Sequence, residues 1–289
     1  MTQIQFSAPT SVDDAIRQLS DGGNGAKILA GGTDLLVQLR AGYLRPDLIV
    51  DIKKIPELRQ IQQVNGGFRI GAAVAGAELS EHAEVKNSWP GVVEGLDLIG
   101  STQIQGRASL GGNLCNASPA ADSVPAMIAA AATCAIAGPN GRREANVEDI
   151  VTAPGQTSLA PEEFIVSFFL PARPAHSSDA YLRFIPRTEM DIAVVGAGVS
   201  LSLDDTGTCV AARLSLGAVA PTPLLVDAGA AELIGTTVDE SVLAKLCKAA
   251  SAACNPIDDK RGTIEYRTKV AGVLARRAAE IALRRARAN

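Results

Sequence analysis

Leu29-Ala30-Gly31-Gly32-Thr33-Asp34-Leu35 lies between two segments of different period. Lys27 to Ala30 reads as a strand, and Leu35 to Arg40 as a helix that starts straight from the glycine pair and ends near Gly42. Glycine lets the backbone approach an anion because no Cβ stands in the way. Successive backbone N–H groups and the helix N-terminus then face that anion, and Thr33 adds a hydroxyl donor. The segment reads equally well as a plain turn capped by Thr33 or Asp34. Farther along, Ser109-Leu110-Gly111-Gly112-Asn113-Leu114 repeats the pattern and runs into Ser118-Pro119-Ala120-Ala121-Asp122. Such a loop cradles the other side of a pyrophosphate. Asn113 offers both a donor and an acceptor. Asp122 accepts only when ionised, which suits the hydroxyls of a sugar or polyol chain. The bland alternative is a structural turn with Asp122 capping the helix that begins near Pro125. Two such loops in one chain say more than either alone.

Outward from the first loop, Ile4 and Phe6 alternate with polar residues as a short strand. Ser11 caps a helix with Asp14 as its capping-box partner, and Val12, Ala15, Ile16 and Leu19 share one face until Gly22-Gly23 stops it. Leu48 to Val50 is another strand, so residues 1–55 form a small α/β unit. In 56–173, Asn65-Gly66-Gly67 joins a hairpin, Gly76 to His82 and Pro125 to Ala132 are helices, and Thr133 to Ala137 and Phe164 to Leu170 are β structure. Pro171, Pro174 and the polar run His176 to Asp179 read as a linker. Beyond it, Val194 to Leu203 and Val210 to Val219 flank a turn at Asp204 to Gly207. Helices follow over about Glu240–Cys254 and Ile264–Arg287. The expected fold is α+β: two subdomains, about 1–55 and 56–173, then a sheet-plus-helices domain over 179–289.

Composition narrows the function. At 289 residues the chain suits about two domains. A hydrophobic share of 47% excludes disorder as the main state. A net charge of -4 and an aromatic share of 3% argue against a nucleic-acid surface. No charge-free stretch supplies the ~20 apolar residues of a membrane span, and the N-terminus lacks signal-peptide features. Cys115, Cys134, Cys209, Cys247 and Cys254 form no C-x-x-C pair, which argues against a zinc ribbon or a cysteine-ligated cluster and suits a reducing cytoplasm. His82 and His176 have no third partner, so no metal ligand or catalytic base is expected. Asp191 to Leu201 imitates the opening of a dinucleotide-binding strand. Leu201 replaces the third glycine, however, and Val199, Leu201 and Leu203 continue as a strand, leaving no helix N-terminus for a pyrophosphate. Arg276, Arg277, Arg284, Arg285 and Arg287 read as a solvated face or subunit contact.

AGGTDLL from Ala30 and SLGGNLCNASPAADSVPAMIA from Ser109, in this order, resemble the FAD-binding medium subunits of molybdenum hydroxylases, the family of xanthine dehydrogenase and aerobic carbon monoxide dehydrogenase. MDIAVVGAGVSLSL, LGAVAPTP and DKRGTIEYRTKVAGVLARRA are similar to the second domain of those subunits. The resemblance implies a PCMH-type FAD-binding domain with noncovalent FAD, since neither loop offers a histidine or cysteine suited to covalent attachment. It places Ala30, Gly31, Gly32, Thr33 and Asp34, with Ser109, Leu110, Gly111, Gly112 and Asn113, on the pyrophosphate and ribityl oxygens. It places Asp122 beside the flavin chain, and Lys27 and Ile165 at further contacts. It implies a large molybdenum-pterin subunit that hydroxylates substrate and a small subunit with two two-iron two-sulfur clusters, assembled with this chain as a dimer of heterotrimers. Electrons then leave through FAD to quinone, NAD or oxygen, in the cytoplasm or at the inner face of the membrane. No residue of this chain is assigned an acid–base role. The chain departs from the family pattern at Ser109-Leu110, at Gln105, at Ile192 where relatives can carry an aromatic, and near Phe184 to Arg187, where Arg183 and Arg187 are the cations. The competing readings are a self-sufficient FAD-dependent oxidoreductase, which lacks a histidine-centred constellation here, and a non-catalytic scaffold, against which the intact glycine pairs and Asp122 argue.

Overall fold

The computed structural model describes residues 4–289. Its first unit comprises β1 (Gln5–Ser7), α1 (Val12–Gly22), β2 (Ala26–Leu29), α2 (Leu35–Arg40) and β3 (Leu48–Asp51). The strands pair in the order β1-β3-β2, all parallel, because each strand-to-strand connection passes through a helix. Ser11 caps α1 by accepting from the Asp14 amide at 3.2 Å, and Val12, Ala15 and Leu19 are buried.

The second unit runs through β4 (Ile61–Val64), β5 (Gly67–Gly71), α3 (Gly76–Glu81), α4 (Ala83–Ser88), α5 (Pro90–Asp97), α6 (Thr102–Gln105), α7 (Leu110–Cys115) and α8 (Ser123–Ala129). It continues with β6 (Thr133–Gly138), β7 (Gly141–Asn146), β8 (Val151–Ala153), β9 (Gln156–Thr157) and β10 (Phe164–Leu170). Its main sheet is antiparallel in the order β4-β5-β10-β6-β7, and β8 pairs with β9 apart from it. The central strand β10 is an almost unbroken apolar run, as a strand covered on both faces requires. Phe68, Ile70, Leu96, Leu114, Met127 and Phe168 pack into one core beneath the helices.

The third unit holds β11 (Ser177–Phe184), β12 (Val195–Leu203), β13 (Cys209–Gly217), β14 (Leu224–Leu225), α9 (Asp227–Leu233), α10 (Glu240–Ala252) and α11 (Ile264–Ala286). Its antiparallel sheet, β11-β12-β13-β14, is covered by α11, with α10 and α9 beside it, and meets α5 and α8 of the second unit. Glycines of the dinucleotide-like stretch serve that packing: a Cβ on Gly198 would stand 2.9 Å from the Pro125 carbonyl oxygen. The α+β architecture is the one expected. The linker expectation needs correction, because Ser177, Ser178 and Asp179 are buried inside β11 rather than exposed between domains. Asp179 is tolerated there because Arg173 meets its carboxylate at 2.8 Å.

Candidate functional site

A cleft of about 970 Å³, taken out to its open mouth, lies between the first and second units. Strand β2 supplies Lys27, and the β2–α2 connection supplies Ala30, Gly31, Gly32, Thr33 and Asp34, on one wall. The segment around α7 supplies Ser109, Gly111, Gly112 and Asn113 on the other, and Ala72, Phe164 and Ile165 add apolar lining. Lys27 is the single cation of this lining and Asp34 the single carboxylate.

The two walls differ in what their backbones have left to give. Among the described residues, the amides of Gly31, Gly32, Thr33 and Asp34 donate to no other atom of the protein. Gly32 sits at φ +83°, a conformation that costs glycine little. No side chain caps α2, so the alternative of a turn capped by Thr33 or Asp34 does not hold. Four adjacent unpaired donors beside a cleft leave a run of N–H groups free to bind an anion.

The second segment is not a loop. It is the first turn of α7, and most of its amides are already used. Ser109 Oγ accepts from the Gly112 amide at 3.1 Å, the Gly111 amide reaches the Ala72 carbonyl at 3.2 Å, and the Asn113 amide reaches the Ser109 carbonyl at 3.0 Å. Leu110 does not line the cleft, since its side chain is buried in the core. What this wall offers is side-chain chemistry and room. Asn113 Oδ1 accepts from the Ser123 amide and hydroxyl at 3.2 and 2.7 Å, leaving Nδ2 as the donor.

The glycines divide the same way. A Cβ on Gly31 would overlap the Arg107 carbonyl, and one on Gly111 would lie 2.6 Å from the Ala72 carbonyl oxygen. Both glycines let backbones meet. Gly112 is different: its nearest neighbour would be Ser109 Oγ at 3.4 Å, an ordinary contact. Gly112 therefore keeps cleft volume free rather than permitting a backbone contact.

Asp122 also stands outside the cleft lining. Its carboxylate accepts from Arg183 Nη1 at 2.8 Å and Tyr181 OH at 3.1 Å, both on β11, and it does not cap α8. Burial pushes its carboxyl up to about 6 despite the pull of Arg183. The same burial, with Asp122 alongside, holds the Tyr181 phenol well above its usual range. Nearby, Arg173 lies 3.7 Å over the Trp89 ring while it pairs with Asp179. Arg285 donates to the Asp179 carbonyl at 2.8 Å and pairs with Glu94. Part of the C-terminal arginine run is thus spent inside the chain, with Arg276 on Glu240 and Glu280.

Sequence reading missed four residues at the cleft. Arg107 Nε donates to the Gly31 carbonyl at 3.4 Å; Gln38 and Asn116 reach across from facing walls; and Cys115 lines the cleft as an exposed thiol. None carries a local signal, because each matters only through a partner distant in sequence. His82 caps α4 through Nδ1 and meets the Phe68 ring edge-on, while His176 is half-buried just before β11. Among the described residues no cluster of His, Cys, Asp and Glu is arranged to hold a metal.

Residues 2–173 match the family model described as the FAD binding domain in molybdopterin dehydrogenase, and 180–282 match the CO dehydrogenase flavoprotein C-terminal domain. The chain belongs to the FAD-binding medium-subunit family of the molybdenum hydroxylases. This flavin subunit is 31% identical over 277 residues to the carbon monoxide dehydrogenase medium chain of Hydrogenophaga pseudoflava, covering 96% of each chain. It is 31% identical over 284 residues to subunit alpha of the 6-hydroxypseudooxynicotine dehydrogenase complex of Paenarthrobacter nicotinovorans, covering 98% of this chain and 96% of that one. Its fold superimposes on carbon monoxide dehydrogenase from Hydrogenophaga pseudoflava with a TM-score of 0.94, at 32% identity and 98% coverage of both chains. Quinoline 2-oxidoreductase from Pseudomonas putida 86 gives a TM-score of 0.90 at 28% identity, again over 98% of both. The cleft fits the dinucleotide this family binds. Unpaired amides and Lys27 suit a pyrophosphate, and the apolar lining suits ring surfaces.

Proposed function

We propose that this FAD-binding oxidoreductase subunit is the electron exit of a complex with two other polypeptides. A large subunit holds the molybdenum-pterin centre and acts on substrate, a small subunit holds two two-iron two-sulfur clusters, and the assembly is a dimer of heterotrimers. The four unpaired amides of Gly31 to Asp34 carry the assignment of the cleft. In this reading they and Lys27 take the pyrophosphate from one side, and Asn113 Nδ2 donates from the other. Ser109 holds the α7 turn in place, Gly112 keeps the approach open, and Ile165 with Phe164 excludes water from the apolar end. Bound flavin supplies the exchange between one-electron and two-electron carriers, and the chain binds and orients it. No side chain of the cleft is assigned a proton-transfer role. The subunit and medium-chain names of the relatives support partners. Among the described residues no helix is long and apolar enough to cross a membrane. The five free cysteines support a cytoplasmic location, with the acceptor, whether quinone, NAD or oxygen, meeting the complex there or at the inner membrane face.

The test is purification from the native source under mild conditions, with assay of released flavin, molybdenum and iron and identification of every accompanying polypeptide. FAD together with a larger molybdenum subunit and a smaller iron–sulfur subunit is the expected result. FAD on a lone, active chain contradicts the three-subunit reading.

A further inference from the structure

The wall that carries the unpaired amides is weakly anchored by packing. None of the six side chains of α2 is buried, and Leu36 and Val37 are 47% and 62% exposed. A short helix without a buried face is not held in place by its own propensity. Something else must set its distance from α7. At the cleft's polar edge, Asn116, the residue just after α7, faces α2 with both ends of its amide. Gln38 Nε2 donates to Asn116 Oδ1 at 3.2 Å, and Asn116 Nδ2 donates to Asp34 Oδ1 at 3.3 Å. Asp34 and Gln38 stand four residues apart on one face of α2, so one amide spans a full turn of that helix. A carboxylate accepts and does not donate, which fixes the amide's orientation. At the other edge the walls meet at Gly31, which packs against the Arg107 carbonyl and accepts from Arg107 Nε at 3.4 Å.

We propose that Asn116 is a positioning residue that clasps the two walls of the flavin cleft and thereby sets how slowly flavin leaves it. The proposal rests on the flavin reading of the cleft. The clasp answers a second need of that site. Asp34 is the one carboxylate lining a cleft whose ligand carries two phosphate charges, and Asn116 turns that carboxylate toward an amide donor. Burial already pushes the Asp34 carboxyl above its usual range. Asn116 touches neither phosphate nor ring in this account. It acts through Asp34, Gln38 and the helix that bears them.

The experiment measures the rate of FAD release from the full-length chain, followed by the rise in flavin fluorescence after dilution. Asn116→Ala should speed release about tenfold, the size expected for two lost hydrogen bonds. Asn116→Asp should speed it further, because two carboxylates then face each other. The decisive variant is Asp34→Asn with Asn116→Asp together. It restores a donor opposite a carboxylate with the roles exchanged, and should return release to within about threefold of the parent. Melting of each flavin-free chain separates a clasp from a general loss of fold: the clasp predicts recovery of release rate in the double variant at unchanged melting. If Asn116→Ala folds poorly, the comparison of Asn116→Asp with the double variant still decides. Parental release rates in Asn116→Asp, or a double variant as fast as Asn116→Asp, would overturn the clasp. A parent chain that takes up no FAD at all would instead overturn the reading of the cleft.

Discussion

The two glycine pairs look alike in sequence and do different work. Gly31-Gly32 lies in an open connection whose four amides have no partner among the described residues, whereas Gly111-Gly112 lies in a helical turn whose amides are consumed by Ser109 and Ala72. One wall offers backbone donors; the other offers shape and the Asn113 side chain. A Gly-Gly pair therefore does not identify an anion cradle. What identifies one is the set of N–H groups left over after capping and strand pairing are satisfied.

The largest effect should come from Gly31→Val. Its side chain would overlap the Arg107 carbonyl, which cannot move without parting the two units. The variant should lose more than about 3 kcal/mol of stability, beyond the usual cost of overpacking, and the melting of flavin-free protein shows it. Gly112→Ala should behave in the opposite way. Nothing in the protein obstructs the new methyl, and alanine favours a helix over glycine by roughly 0.5–1 kcal/mol. Melting of the flavin-free chain should hold or rise while FAD affinity falls about tenfold or more, since 1.4 kcal/mol is a factor of ten. Equal losses of stability and affinity at Gly112 would erase the distinction between the walls.

Ser109→Ala removes the cap of α7 and leaves the Gly112 amide unpaired. It should cost about 1 kcal/mol of stability and lower melting, with a smaller change in FAD affinity than Gly112→Ala. The smallest effect concerns neither wall. The Asp122 carboxyl, raised to about 6 from 3.8 by burial, binds its proton more tightly in the folded chain than in the unfolded one. Its contribution to stability is therefore greatest at low pH and declines as pH rises from about 4 through about 6. Asp122→Asn keeps one acceptor, for either Arg183 or Tyr181, removes the titrating proton, and should flatten that part of the stability profile, read by denaturant unfolding at pH 4 and pH 7. Asp179, raised in the same way by burial, adds to the same trend.

Much of this was legible before the fold was known. Periodicity placed the strands and the long C-terminal helices, and the Ser11 cap and the Asn65-Gly66 hairpin each announced themselves locally. The helical nature of the second glycine segment was hidden, because two glycines normally weaken a helix. Here Ser109 caps the turn, and Leu110 and Leu114, four residues apart, both reach the core and override that propensity. Ser177 to Asp179 looked like linker because polarity suggests exposure, yet Arg173 supplies the charge that lets Asp179 enter a buried strand. Asn116 had no signal at all. Its meaning comes from Asp34 and Gln38 on another unit, a relation that local pattern does not contain.

The central contrast between the walls is open to a direct measurement: residue-resolved amide hydrogen exchange of the full chain, with and without FAD. The account predicts that Gly31, Gly32, Thr33 and Asp34 exchange rapidly in the flavin-free chain and become strongly protected when FAD binds, while the Gly112 amide is protected in both states. Unchanged exchange at Gly31 to Asp34 on FAD binding, with new protection appearing at Gly112, would contradict it.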